Sequence, residues 1–300
     1  MSAADLNALQ RPHDRLRRRR LVNRGMELLA WLAAAIAVAI LGIFVFSVAR
    51  RGASQLNLDL LTKTPVPFAL PGTPQGLANA FVGSLILVSL ATAMALPVGI
   101  LVAIYVTEFA PRRIRHALGL FLDVLAGIPA IVIAIFVYGL LVVGHAQSGY
   151  AGAFALAVLM LPLVARTTIE VLLLVPGSLR EASLGLGVPR WRTTLGIVLP
   201  QAVGGIVTGG VLAVARVAGE TAPLLFASSI LTTSQVSWNP SHALASVPVT
   251  IFELQDSADP ADHARAWAAA FVLLMFVLVT SLTARWLANR SRRKLRRAAG

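Results

Sequence analysis

Leu28–Ala49 carries no charged side chain across 22 residues, and Gly76–Thr107 none across 32. A helix needs roughly 20 such residues to cross a hydrocarbon core about 30 Å thick. Further apolar runs follow at Leu118–Val143, with Asp123 near its start, and at Tyr150–Val175, which holds Arg166 and Glu170. The last two are Thr193–Ala222, with Arg216 and Glu220, and the uncharged Ala266–Ala284. Six runs of this kind predict an all-α membrane protein with six transmembrane helices, because in lipid a helix satisfies its backbone polar groups internally. The charged fraction agrees: 13% of residues, against roughly a quarter in a soluble domain. The first run follows a basic head and ends in Ser47-Val48-Ala49, a small-x-small form that suits a cleavage site. Its length exceeds the roughly 7–15 apolar residues of a signal peptide, so it reads as a retained span.

The formal net charge of +13 is distributed as a topology signal. Twenty Lys and Arg fall on one side of the six-span scheme: the head (such as Arg17–Arg20), Arg112, Arg113 and Arg115, Arg180, Arg190 and Arg192, and the C-terminal end. The opposite side holds Arg50, Arg51, Lys63 and Arg265. This asymmetry predicts that both termini are cytoplasmic, and with no nucleic-acid-binding pattern between the basic blocks it excludes a nucleic-acid partner. The expected organisation is a basic cytoplasmic segment over 1–25, a first transmembrane helix over 26–49 and a periplasmic loop over 50–75. A core transmembrane domain over 76–289 and a basic cytoplasmic tail over 290–300 complete it. Pro65, Pro67, Pro71 and Pro74 make 50–75 an extended loop, since proline has no N–H to donate. The segment 223–264 is long for a loop without structure; it either dips into the membrane surface or forms the outer mouth of a pathway. Pro97, Pro129 and Pro162 are expected to kink their spans, which neighbouring helices can tolerate. Gly204-Gly205 and Gly209-Gly210 suit close helix packing.

Chemistry by the chain itself is narrowly bounded. Cysteine is absent and the five histidines show no ligand spacing, so no metal site, thiol chemistry or cofactor is expected. There is no G-x4-G-K-[ST] loop.

Between the fourth and fifth spans the chain reads Glu181-Ala182-Ser183, three residues, Gly187, nine residues, Ile197, then Leu199-Pro200. This resembles the cytoplasmic loop of ABC importer permeases, E-A-A-x3-G-x9-I-x-L-P, with Ser183 in the place of one alanine. A short helix lying along the membrane must enter a cleft on an ATPase. Ala182, Ser183, Gly185 and Gly187 would permit close approach, and Gly187 would end the helix in left-handed geometry. Arg180 and Glu181 would supply polar contacts to the partner. The coupling loop is expected over 176–192.

Arg166, Glu170, Arg216 and Glu220 lie within or at the edge of apolar spans, where each charge costs a few kcal/mol unless paired or wetted. The Arg166/Glu170 and Arg216/Glu220 spacings allow i, i+4 bridges. Two readings stay open: neutralised structural bridges, or an anion pathway in which guanidinium forks match a tetrahedral oxyanion. Asp123 reads as a helix cap or a partner for a loop arginine such as Arg113.

A closer resemblance runs from about Asn79 to the C-terminus. Val164–Glu170, Val175–Ala182, Ala215–Phe226 and Val247–Phe252 look like the bacterial phosphate-uptake permeases, and within them the PstA-type subunits. The resemblance implies a type I ABC importer permease fold in the cell inner membrane, moving phosphate without being an enzyme. Its implied partners are a second permease of PstC type, an ATPase dimer of PstB type and a periplasmic phosphate-binding protein. It also implies Arg166, Arg216 and Glu220 as the substrate pathway, with Arg180, Glu181, Ala182, Ser183 and Gly187 in the ATPase coupling loop. A proton-coupled secondary transporter is the rival class, but it leaves the Glu181 loop without a purpose. A membrane scaffold that reports phosphate status to a sensor kinase is a third reading, compatible with the first.

Overall fold

The computed structural model describes residues 3–66, 73, 75–229 and 234–298. It divides into two units, Met1–Arg51 and Gly52–Gly300. Helix α1 (Ala3–Ala53) runs unbroken through the basic head and the first apolar run. Pro67, Pro71 and Pro74 of the proline-rich loop lie outside the described residues. The part of that loop that is described includes a short helix, α2 (Leu58–Thr62), started by the Asn57 side chain accepting from Leu60 N at 2.7 Å. An asparagine there supplies a cap that proline counting misses.

The second unit continues with α3 (Ala78–Ile104), extended by a π-helical turn at Tyr105–Phe109. Helices α4 (Arg112–Gly127) and α5 (Ala130–Val137, with a π turn at Tyr138–Val142) come next, then α6 (Gly149–Leu173). Short helices α7 (Gly177–Gly185) and α8 (Arg190–Thr193) and a π turn at Thr194–Val198 lead into α9 (Leu199–Val217). Helices α10 (Ala222–Ala227), α11 (Val247–Gln255) and α12 (Pro260–Ala298) complete the order. Among the described residues five helical stretches are long and apolar enough to span a membrane, and a bent pair makes a sixth. The expected all-helical architecture is the one observed.

The bent pair corrects the third span. Leu118–Val143 is not one rod; α4 and α5 meet at 95°. Ile128 is extended (φ −68°, ψ 129°) and Pro129 follows it. Proline disfavours helical geometry in the residue before it and offers no N–H to continue the ladder. Pro97 and Pro162, by contrast, sit inside continuous helices. The basic residues Arg112, Arg113 and Arg115 also lie on α4 itself, not in a loop before it.

Helix α6 forms the centre. It packs against α3 through Ala91, Ala95, Ala153, Leu156, Ala157 and Met160, and the Gly99 position faces Val164 at close range. Small residues let backbones approach where lipid offers no hydrophobic drive between helices. On its other side α6 meets α9: Gly205 faces Val171 and Gly209 faces Thr167. Helix packing within the chain therefore accounts for these glycines.

Residues 230–233 of the segment 223–264 lie outside the described residues, and part of the remainder enters the core. Leu244–Thr250 is buried, Ser228 Oγ donates to the Leu244 carbonyl at 2.9 Å, and Ser84 Oγ accepts from Val247 N at 2.8 Å. The amides of Gly149 and Tyr150, which begin α6, donate to the carbonyls of His242 and Pro240 at 2.9 and 3.0 Å. The backbone at Pro240, His242, Leu244 and Val247 is thus paired with a helix start or with side chains, as irregular chain inside a membrane requires.

Gly83 on α3 faces the Ala245 carbonyl of this segment so closely that a Cβ has no room. Gly83→Leu is expected to lower the melting temperature of the purified protein, through overpacking worth about 1–3 kcal/mol. Gly139→Leu, at an exposed position where a Cβ meets nothing within 4 Å, serves as the comparison. Equal melting temperatures for the two variants would contradict the buried docking of 244–250.

Candidate functional site

Arg166 projects from α6 toward α4. Its Nη2 donates to the Gly119 carbonyl at 2.6 Å, and the guanidinium makes an ion pair with Asp123. Gly119 and Asp123 are one helical turn apart on α4, so a single helix face presents both acceptors. Arg166 Nε is buried without a hydrogen-bond partner.

The i, i+4 bridges expected from spacing do not form. Arg166 pairs with Asp123, and Glu170 is exposed. Helical side chains lean toward the N-terminus, so an arginine four residues before a glutamate points away from it, the weaker order for such a pair. For Arg216 the reason is different: α9 ends at Val217, so Glu220 is no longer on the same helical face. Asp123, set aside as a cap or a partner for Arg113, is the residue that counters Arg166.

Arg166, Arg216 and Glu220 nevertheless converge. A cavity of about 190 Å³ is lined by Arg166 and Thr167 of α6, Arg216 and Val217 of α9, and Glu220 beyond its end. The α4–α5 break supplies Leu125, Ala126, Ile128 and Ala130, and α6 adds Leu159, Pro162 and Leu163. The bend at Pro129 opens this space beside α6. One water needs only about 10–15 Å³ by a comparable measure, so the cavity has room for a small hydrated anion. Among the described residues neither Arg216 nor Glu220 makes an ion pair. A second, wider space of about 860 Å³ is lined by Arg112, Arg115, His116, Gly119, Leu120, Asp123 and Arg166. Arg166 therefore stands in the wall of both. Two guanidiniums on apolar walls can replace the hydration of a tetrahedral oxyanion with forked N–H donors.

The loop after α6 forms a short capped helix, with one residue turned the other way from expectation. Helix α7 is closed by Gly187 N donating to Leu184 O (2.9 Å) and Val188 N donating to Ser183 O (3.2 Å), with Gly187 at φ +79°. This is the Schellman pattern, in which glycine takes the left-handed position. Ser183 is buried, its Oγ 2.8 Å from Thr193 Oγ1, tying α7 to α8. Glu181 and Ala182 are exposed, as is Leu186 at 84%, so α7 presents a mixed outer face. Arg180 is the reversal: expected to face a partner, it turns inward and pairs with Glu108. Glu108 was not singled out from the sequence. Its signal was available, as the acidic residue immediately following the 32-residue uncharged run Gly76–Thr107.

Residues 95–293 match the family model described as "Binding-protein-dependent transport system inner membrane component". The chain is 39% identical to the phosphate transport system permease protein PstA of Pasteurella multocida, covering 89% of this chain and 94% of that protein. It is 40% identical to the protein of the same name from Yersinia pestis, covering 85% and 87%. Among solved structures, a bacterial alginate ABC transporter in complex with its periplasmic protein superposes with a TM-score of 0.57 at 16% identity, covering 87% and 94%. The inward-facing MetNI methionine ABC transporter gives 0.54 at 16%, covering 72% and 94%.

The left-handed Gly187 yields a direct test. Gly187→Val places a side chain where left-handed backbone costs roughly 1–2 kcal/mol, so exchange of the cap amides at positions 187 and 188 is expected to quicken about tenfold. Unchanged protection would show that the cap does not hold α7.

Proposed function

The chain belongs to the family of PstA phosphate transport system permease proteins, within the binding-protein-dependent inner membrane components, and we propose that it forms one half of the channel through which an ATP-driven importer moves inorganic phosphate. The observation that carries the reading is the meeting of Arg166, Arg216 and Glu220 at one cavity. These residues come from separate parts of the chain, and two arginines are costly in an apolar bundle: about 2.5–3.5 kcal/mol each at the membrane centre. An anion in transit gives them a purpose that packing does not.

In this mechanism phosphate leaves its periplasmic binding protein and sheds water at the cavity mouth. The guanidiniums of Arg166 and Arg216 take over the lost hydrogen bonds. Glu220 repels the anion and limits how tightly it is held, and Asp123 competes with it for Arg166. A site that must release its ligand needs such opposition, because a passage binds well enough to admit and weakly enough to let go.

The chain sits in the inner membrane with both termini in the cytoplasm, on the argument of its basic blocks. A second permease of PstC type completes the channel. Energy arrives from an ATPase dimer of PstB type, received at α7 by the exposed face around Glu181, Ala182 and Leu186. The hydrolysis itself belongs to that partner, and the chain acts as a conduit rather than an enzyme.

Uptake of labelled phosphate into vesicles tests the site. Arg216→Ala removes a charged fork worth about 3 kcal/mol, so uptake is expected to fall about 100-fold or more. Arg216→Lys, which keeps the charge and loses the fork, is expected to recover only a small part of it. Assembly with the ATPase should persist in both variants. Normal uptake by Arg216→Ala would remove Arg216 from the pathway.

A further inference from the structure

The π-helical turn Tyr105–Phe109 is gripped from two directions. Arg180 of α7 places Nε 3.2 Å from both Glu108 carboxylate oxygens and Nη2 2.9 Å from Oε1. The same guanidinium donates to the carbonyls of Leu172 and Val175 at 2.9 and 2.7 Å, at the end of α6. From α4, Arg115 donates through Nε to the Val106 carbonyl at 3.0 Å and through Nη2 to the Thr107 carbonyl at 3.3 Å. The Glu108 and Arg180 side chains are only 10% and 23% exposed, so solvent screens the pair little.

Arg115 also shares a helical face with the groups that hold Arg166. Arg115, Gly119 and Asp123 follow at steps of four residues along α4, a spacing that lines them up on one side. One end of this stripe grips the π turn, and the other grips Arg166. Helix α4 is bounded by Pro111 and Pro129, and the helical hydrogen-bond ladder does not run through either end. A helix jointed at both ends can shift as a rod.

We infer that Arg180, Glu108 and Arg115 are positioning residues that carry the displacement of α7 to Arg166, resting on the reading that α7 receives the ATPase. Two routes leave Arg180. One passes straight into the end of α6, the helix that bears Arg166. The other crosses Glu108 and the π turn to Arg115, then follows α4 to Asp123, the counter-charge of Arg166. Forked arginine contacts fix direction as well as distance, and an i→i+5 turn recurs at functional points within helices. When α7 moves, both Arg166 and the carboxylate that holds it move, so the two cannot stay matched unless the routes displace them equally. The pull of the ATPase would thereby loosen or tighten Arg166 on its anion.

The test uses the full complex of both permeases and the ATPase in proteoliposomes, with the phosphate-binding protein and inorganic phosphate. ATP hydrolysis and phosphate uptake are measured side by side. Glu108→Gln keeps the shape and removes the charge; hydrolysis is expected to stay within about twofold while uptake falls about tenfold, raising the ATP consumed per phosphate. Arg115→Gln, which breaks only carbonyl contacts, is expected to uncouple in the same sense. Glu108→Asp should restore part of the ratio, and Arg113→Gln, at an exposed position on the same helix, should leave it unchanged. A ratio unaltered in both Glu108→Gln and Arg115→Gln would overturn the inference. So would hydrolysis and uptake falling in step, which is what a purely structural clasp produces. Failure of the phosphate reading itself is seen separately, since the unmodified complex would then take up no phosphate.

Discussion

A guanidinium on an apolar helix must be answered by something, and in this chain the answer for Arg166 comes from a different helix. Its partners, the Gly119 carbonyl and the Asp123 carboxylate, lie on α4, and α4 can reach it because the chain breaks at Pro129 instead of continuing as a straight span. The same break supplies four of the residues that wall the cavity shared by Arg166, Arg216 and Glu220. One interaction thus links the orientation of α4, the opening beside α6 and the charge in the cavity wall. With the break replaced by continuous helix, Arg166 would keep its burial cost and lose its acceptors.

The packing around this arrangement follows from residue size. Alanines and glycines let α3 and α9 close on α6, and toward α4 the central helix packs Ala165, Ile169 and Leu172 around Leu122 beside the cavity. The returning segment closes the far end: the carbonyls of Pro240 and His242 accept from the start of α6, the Leu244 carbonyl accepts from Ser228, and Val247 N donates to Ser84 of α3. Packed interfaces of this kind switch between discrete arrangements rather than deform smoothly.

Much of this was legible in the sequence. Uncharged runs of 22 and 32 residues leave few alternatives to membrane spans, and the Glu181–Pro200 spacing specifies a helix, a glycine cap and a return. Gly187 at φ +79° is where that spacing put it. Arg166, Arg216 and Glu220 were also legible as charges in the wrong solvent. Their partners were not. Spacing along one helix suggested Glu170 for Arg166, but side-chain direction and a distant carboxylate decide otherwise. The inward turn of Arg180 escaped for the same reason: its partner Glu108 is 72 residues away, and no local pattern records such a distance. The bend at Pro129 was visible only as a proline, since Pro97 and Pro162 look alike in sequence and stay within helices.

Passage of phosphate through the cavity between Arg166 and Arg216 can be followed by thiol labelling, because the chain has no cysteine of its own. Leu163 lines that cavity on α6, so Leu163→Cys provides a single thiol there. Its rate of modification by a negatively charged thiosulfonate can be followed in the assembled complex. The expected result is modification that inorganic phosphate slows in proportion to its concentration, with an uncharged reagent of the same size reacting more slowly than the anionic one. Modification indifferent both to reagent charge and to phosphate would contradict an anion passage at this site.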